Sequence, residues 1–302
     1  MNKSTKWFLI IFGILAVVGV GFMLLIYGFM KSMGDRTEVV TSGSGGKIAV
    51  VELKGVITSS EDIVRQLKKY RETGSIKAIL LRVDSPGGGV VASQEIYEEV
   101  KKTRDGGKPV VVSMGALAAS GGYYVSCGAS RLVANRGTLT GSIGVISEFL
   151  QLQEALGKLG VAVKTIKSGK LKDSGSSTRK MTEEDERYFQ QLMDNVHRQF
   201  ISVVENERHL DHDVVVKIAD GSVFTGEQAI ENGLVDTLGT FEDAIAITAE
   251  LAGISGEPSL VKEQRRRSVW DSIFGDVQET LKDIKQEMVD RPAVSYRFTG
   301  PY

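Results

Sequence analysis

Three short segments of the chain combine glycine with residue types that can do chemistry. The first, Asp84-Ser-Pro-Gly-Gly-Gly89, follows an apolar run at 76–83. A glycine turn that opens a helix presents unpaired backbone N–H groups, which suit an anion or an oxyanion. A tight turn without any function explains the same residues. The segment has neither the Walker A nor the dinucleotide-binding spacing, so a nucleotide-binding loop is not predicted.

The second segment carries a candidate nucleophile, Ser120. It follows the small-residue loop 115–119 and precedes Gly121 and Gly122, where a helix is predicted to begin. Serine is common at the N-cap of a helix, which is the alternative interpretation. A nucleophilic serine needs the same geometry, because a sharp turn presents the hydroxyl and the glycines give a substrate close access.

A serine nucleophile needs a base, and the chain has 3 histidines. His197, His209 and His212 fall in or just after a long polar helical pattern at 181–210. We interpret them as solvated surface residues. A serine–histidine–aspartate triad is therefore not favoured.

Lysine can replace histidine as the base if its amine is neutral. This requires a desolvated side chain, since free lysine has a pKa of ~10.4. Three candidates in the third segment, Lys167, Lys170 and Lys172, follow a predicted strand at 161–166. Residue types and spacing do not choose among them, and most lysines are simply solvated.

The elements that must position these residues alternate between strand and helix patterns. Strands are predicted at 48–56, 76–83, 109–113 and 161–166, and helices at 61–71, 91–103, 181–208, 211–219, 226–232 and 241–252. Strands separated by helices predict a parallel sheet covered by helices. The patterned region is long enough for one sizeable α/β domain.

The N-terminus predicts a membrane anchor. Residues 7–30 contain no charge and are long enough to cross a bilayer as a helix. Lys3 and Lys6 precede them, so residues 1–6 are expected in the cytoplasm and the remainder outside the cell membrane. A cleaved signal peptide is less favoured, because the apolar run is too long and no small-residue cleavage site follows it. Residues 31–46 are predicted to be a flexible linker.

The remaining composition restricts the function classes. The net charge of −1 gives no indication of nucleic-acid binding, and no metal or cofactor motif is predicted. Cys127, the single cysteine, is expected to be a buried structural thiol. Residues 258–302 are predicted to hold an amphipathic helix, which lies on a membrane, on its own domain or on a neighbouring subunit, and then an extended tail from Arg291.

Five blocks in order resemble the signal peptide peptidase A/protease IV family of membrane-bound serine–lysine peptidases. They are VDSPGGGV (83–90), GALAASGGYYV (115–125), TGSIGVI (140–146), SGKLKD (168–173) and VFTGEQAIENGLVDTLG (223–239). The resemblance covers roughly residues 47–250 and fits the short, single-module form. It implies Ser120 as nucleophile, Lys172 as general base, Ser142 as the residue that orients Lys172, and Gly87 as oxyanion donor.

The resemblance also implies a fold and an activity. The fold is α/β, a crotonase/Clp-protease-like superhelical ββα domain over residues 47–257, preceded by the transmembrane helix. The expected activity is hydrolysis of remnant signal peptides and other membrane-associated peptides without a cofactor. The implied assembly is a homo-oligomeric ring or dome in which neighbouring subunits supply the serine and the lysine of one site.

Two alternatives to this activity stay open at this point. They are a crotonase-type acyl-thioester enzyme and a catalytically inactive, membrane-anchored scaffold ring. A further hypothesis is that the tail 293–302 reaches an active site and regulates it or is trimmed by it.

Overall fold

The structure is a computed structural model that describes residues 3–32, 36–41, 43–265 and 294–298. It divides into two compact units. In the unit formed by residues 1–40 and 262–285, helix α1 (Lys3–Ser32) and strand β1 (Arg36–Val40) are described. Within the described part of the chain, no helix is long and apolar enough to cross a membrane, so the anchor predicted at 7–30 is not confirmed.

The other unit, residues 41–261 and 286–302, contains the predicted domain. Its strands are β2 (Lys47–Lys54), β3 (Ile76–Ser85), β4 (Gly87–Gly89), β5 (Val110–Ala119), β6 (Arg131–Ala134), β7 (Leu139–Gly141), β8 (Val223–Thr225), β9 (Thr237–Leu238), β10 (Ser259–Arg265, which begins in this unit) and β11 (Ser295–Arg297). Its helices are α2 (Glu61–Glu72), α3 (Val90–Asp105), α4 (Gly121–Cys127), α5 (Gln153–Lys158), α6 (Glu183–Arg208), α7 (His212–Ile218), α8 (Gly226–Glu231) and α9 (Phe241–Leu251).

The strands form a mixed, mainly parallel sheet with the order β10-β2-β3-β5-β6-β9. The pairs from β2 through β3, β5 and β6 to β9 are parallel. Strand β7 pairs in parallel with the last three residues of β5, beyond the part of β5 that pairs with β6. It also pairs antiparallel with β8. The predicted α/β class with a parallel sheet is therefore confirmed.

Both faces of the central strands are buried, because helices cover each of them. Successive side chains of a strand point to opposite faces, so neighbouring residues pack into different cores. Leu80 packs in a cluster with Ala244 and Ala249 of α9. Its neighbour Leu81 points to the other face, into the larger core that includes Leu67 of α2. This two-sided burial explains why β3 reads as a continuous apolar run.

Three sequence-based expectations differ from the structure. No strand forms at 161–166, where the side chain of Ile166 is 91% exposed, so the apolar run there does not belong to the sheet. The linker predicted as coil at 31–46 contains β1, whose Thr37, Val39 and Val40 are β-branched residues that favour extended backbone. The segment after Pro258 begins with β10 rather than a helix, and the apolar stripe at 269–288 lies outside the described residues.

Truncating a side chain of the central strand tests the two-sided core. The Leu81→Ala substitution removes a fully buried side chain, so we expect it to lower the free energy of unfolding by about 2–5 kcal/mol. The matched control is Leu251→Ala, since Leu251 is 42% exposed and its truncation is expected to cost under about 1 kcal/mol. Urea denaturation of both variants measures the difference, and equal losses would contradict the packing described.

Candidate active site

The strand register brings three predicted site residues to one edge of the sheet. In the parallel pairs, Ser85 lies opposite Ala118, and Ala119 lies opposite Gly141. Gly87, Ser120 and Ser142 follow these paired residues by one or two positions. Because parallel strands end at the same edge of a sheet, the three segments leave the sheet side by side.

Ser120 lies on a strained turn between β5 and α4. Its φ of 54° and ψ of −115° are unusual for a residue with a side chain, and it is 1% exposed. Its N–H donates to Gly141 O at 2.7 Å, and its carbonyl accepts from Tyr124 N at 2.8 Å. The predicted helix begins at Gly121, so the sharp turn expected of a nucleophile is present.

Ser142 also has a left-handed conformation, with a φ of 50°. Its N–H donates to Ser222 O at 2.8 Å, and the residue is 7% exposed. It lines a cavity of about 410 Å³ together with Asp194, His197 and Arg297. Open space therefore lies directly beside the residue that was predicted to orient a lysine.

The histidines divide between surface and cavity. His209 and His212 are exposed, as predicted. His197 is half-buried, and its Nε2 atom is buried with no hydrogen-bond partner among the described residues. The prediction of a solvated surface residue is therefore wrong for His197, because the helical pattern of α6 alone does not reveal that this residue lines a cavity together with Ser142 and Arg297.

Gly87 adopts a φ of 93°, which favours glycine. Its N–H donates to Ser85 Oγ at 3.1 Å, as in a serine turn, and its carbonyl accepts from Ile57 N at 2.9 Å. The predicted oxyanion donor is thus engaged within its own turn.

The C-terminal strand β11 occupies the cleft beside this turn. It pairs antiparallel with β4, with Tyr296 opposite Gly88. On its other side, Ser295 and Ile146 exchange two backbone hydrogen bonds of 3.1 Å each. The tail is therefore held as a middle strand between two segments of the site, in line with the hypothesis that it reaches an active site.

The side chain of Tyr296 fills an aromatic pocket. It is 0% exposed, stacks on Tyr124 with ring centroids 5.2 Å apart, and lies 4.8 Å from the ring of Phe200. Its hydroxyl donates to Val196 O at 3.2 Å. Burial raises the pKa of Tyr296 and raises that of Tyr124 to about 12, so both phenols stay neutral at physiological pH.

The carbonyl of Tyr296 lies where the glycine turns meet. A methyl group added to Gly87 would come within 2.0 Å of Tyr296 O, and one added to Gly121 within 3.1 Å. Phe298 N donates to Pro86 O at 2.8 Å, and by the alternation of antiparallel bonds Gly88 N–H then faces Tyr296 O. A peptide carbonyl thus lies against backbone that only glycine can form.

The three candidate lysines have different surroundings. Lys167 forms an ion pair of 2.6 Å with Asp173, and Lys170 one of 2.6 Å with Glu184. Lys172 is exposed, and its side-chain amine makes no hydrogen bond or ion pair with the described residues, Ser120 and Ser142 included. Two of the three candidate lysines are therefore engaged by carboxylates of the same region.

Cys127 is buried, as predicted, and burial raises the pKa of its thiol to about 12. A thiol in this state is unreactive. Among the described residues, no group of histidine, cysteine and acidic side chains is arranged to hold a metal ion.

Comparison with known proteins gives consistent matches. The model of peptidase family S49 matches residues 102–255, and that of Clp protease matches residues 47–142. A putative protease of Synechocystis is 46% identical over 69% of this chain and 75% of its own length. A putative signal peptide peptidase SppA of Enterococcus faecium is 39% identical, covering 74% of this chain and 69% of its own. Protease 4 of Salmonella typhi is 38% identical over 86% of this chain but only 44% of its own length.

Proposed function

Because the chain belongs to peptidase family S49 and is a serine peptidase, we propose that it is a membrane-anchored endopeptidase with a Ser120/Lys172 dyad. Its proposed substrates are extended apolar peptides, remnant signal peptides above all. The observation that carries the proposal is the position of β11. A peptide strand lies beside Ser120, paired on both sides, with a carbonyl against the glycine turns.

The proposed reaction is acyl transfer. Neutral Lys172 takes the proton of Ser120 Oγ, and the oxygen attacks the substrate carbonyl. The backbone N–H groups of Gly88 and Gly121 face the carbonyl oxygen as it becomes negative, and Gly87 N–H exchanges Ser85 Oγ for this oxygen when the substrate binds. The protonated lysine then gives its proton to the leaving amine, and water releases the acyl group. In this scheme Ser142 orients the lysine.

The substrate class follows from how the tail is bound. Main-chain pairing on two sides accepts any extended peptide, while the pocket of Tyr124 and Phe200 selects a large apolar or aromatic side chain. The apolar core of a signal peptide supplies such side chains. The relative from Enterococcus faecium carries the name of that activity.

We further propose that the site is completed between subunits of a ring or dome. The segment that carries Lys172 exposes large apolar side chains, with Leu150 69%, Leu159 76% and Ile166 91% exposed. Such exposure in a soluble domain marks a contact surface. A neighbouring copy that covers this segment brings its own Ser120 toward Lys172. The match to Clp protease also favours assembly.

The proposed anchor rests on the uncharged residues 7–30 and on Lys3 and Lys6 before them. We expect the full chain to stay with the membrane fraction after an alkaline carbonate wash, and a variant lacking residues 1–30 to be released. A full chain released to the same extent as the deletion variant would contradict the anchor.

Mixing two inactive variants tests the dyad and its location together. Ser120→Ala and Lys172→Ala are each expected to lower kcat by at least about 10³-fold on a fluorogenic apolar peptide. If neighbouring subunits share each site, co-expression of the two variants restores about a quarter of the sites. Activity of the co-assembled particles measures this.

The outcomes separate the parts of the proposal. No recovery on mixing, with each variant inactive alone, would place both residues of a site in one subunit. Full activity of the Lys172→Ala variant alone would contradict the dyad. Lys180→Ala is the matched control, because Lys180 is another exposed lysine of the same segment and its loss is expected to leave kcat unchanged.

Removing the tail tests the occupied cleft. We expect a chain ending at residue 290 to have a KM about tenfold lower than the full chain, because the tail no longer competes with substrate. A synthetic peptide of residues 291–302 should inhibit the shortened enzyme, and the same peptide with alanine in place of Tyr296 should inhibit less. An unchanged KM and no inhibition by the peptide would contradict cleft occupancy.

The acyl-thioester and inactive-scaffold alternatives have no support in the site. The family is one of peptidases, and the serine and glycine positions are all in place.

Mass spectra of incubated wild type and Ser120→Ala protein distinguish a trimmed tail from an uncleaved one.

A further inference from the structure

The segment that carries Lys172 has little regular structure, yet its other charged groups are held in one network. Residues 167–180 form consecutive turns rather than a strand, and the backbone of Lys172 donates only to Gly169 O at 3.1 Å. A general base needs accurate placement, since an error of about 1 Å costs on the order of 10²-fold in rate. Something other than secondary structure must therefore fix this segment.

Arg179 joins the segment to helix α6. Its guanidinium donates to Asp185 at 2.6 Å and 3.1 Å, and to Asp173 Oδ1 at 2.9 Å. Asp173 is the residue directly after Lys172. Asp185 lies in the first turn of α6 and is 2% exposed. The planar fork of arginine spans two carboxylates in a way that the single ammonium of lysine cannot.

The far end of this connection is rigid. Asp185 and Thr182 form a reciprocal capping box at the start of α6, and Ser174 Oγ also donates to Asp185. Further along the same helix, Phe200 and Val204 are buried in the core. The path from the core to the base is therefore continuous: α6, Asp185, Arg179, Asp173, Lys172.

Arg179 has a second effect through charge. Together with Lys167 it engages Asp173 Oδ1, and Arg179 first and Lys167 second lower the pKa of Asp173 to about 2. The Asp173 carboxylate is thus ionised at physiological pH and paired with Arg179 and Lys167. Asp173 is therefore not available as an ion-pair partner for Lys172.

We infer that Arg179 is a positioning residue of this peptidase, which fixes the Lys172 segment to α6 and withholds Asp173 from Lys172. The inference rests on the proposed role of Lys172 as general base.

The test uses the rate at which a fluorophosphonate probe labels Ser120 in the assembled full-length protein, together with kcat and KM on a peptide. We expect Arg179→Ala to lower kcat and the labelling rate by about 10- to 100-fold and to change KM by less than about twofold. Guanidinium chloride at millimolar concentration should restore part of the rate, and Arg179→Lys should be intermediate. Arg187→Ala is the matched control, since Arg187 is an exposed arginine on α6 that pairs with Glu183 at 3.9 Å.

A double-mutant cycle separates this inference from the proposed function. If Arg179 acts through Lys172, adding Arg179→Ala to Lys172→Ala causes no further loss of labelling. A further loss as large as that in wild type would overturn the inference and leave the dyad intact. Labelling of the Lys172→Ala variant at the wild-type rate would instead overturn the dyad. Thermal unfolding and particle size of each variant identify misfolding, and the Arg179→Lys and guanidinium results decide the case if Arg179→Ala does not assemble.

Discussion

The parallel register of β3, β5 and β7 is the constraint on which the site depends. Ser85 lies opposite Ala118, and Ala119 opposite Gly141, so the chain leaves the sheet three times at the same edge. The strands hold this register because both of their faces are buried, and a slip of one residue would exchange the two apolar faces. The placement of the candidate site residues therefore depends on the packing of the core.

Local sequence pattern predicted the parallel sheet and the close backbone turns of this architecture. The run 76–83 is apolar on both faces and indicated a central strand, and the glycines at 87–89 and 121–122 indicated close backbone approach. The same reasoning was wrong for the apolar run 161–166. Val161 and Ile166 are exposed rather than paired in the sheet, and periodicity does not distinguish a strand from an exposed apolar segment.

Long-range placement could not be read from local pattern. The position of β11 against β4 depends on residues more than 200 positions apart in the chain, and no periodicity records such a pairing. For the same reason the helical pattern of α6 predicts His197 at the surface, whereas its Nε2 atom is buried. The ion pairs of Lys167 with Asp173 and of Lys170 with Glu184 depend on how the loop folds, so local pattern alone does not distinguish the three candidate lysines.

The two-sided pairing around β11 has a consequence for selectivity. A cleft that recognises a strand by its backbone needs a chain whose amides and carbonyls are not already satisfied by one another. A folded protein exposes few such stretches, whereas the backbone groups of a released peptide are unpaired along its whole length. On the proposed function, the peptidase selects substrates by their extended conformation before their side-chain composition. Folded proteins near it are then not cleaved, and no separate protective mechanism is needed.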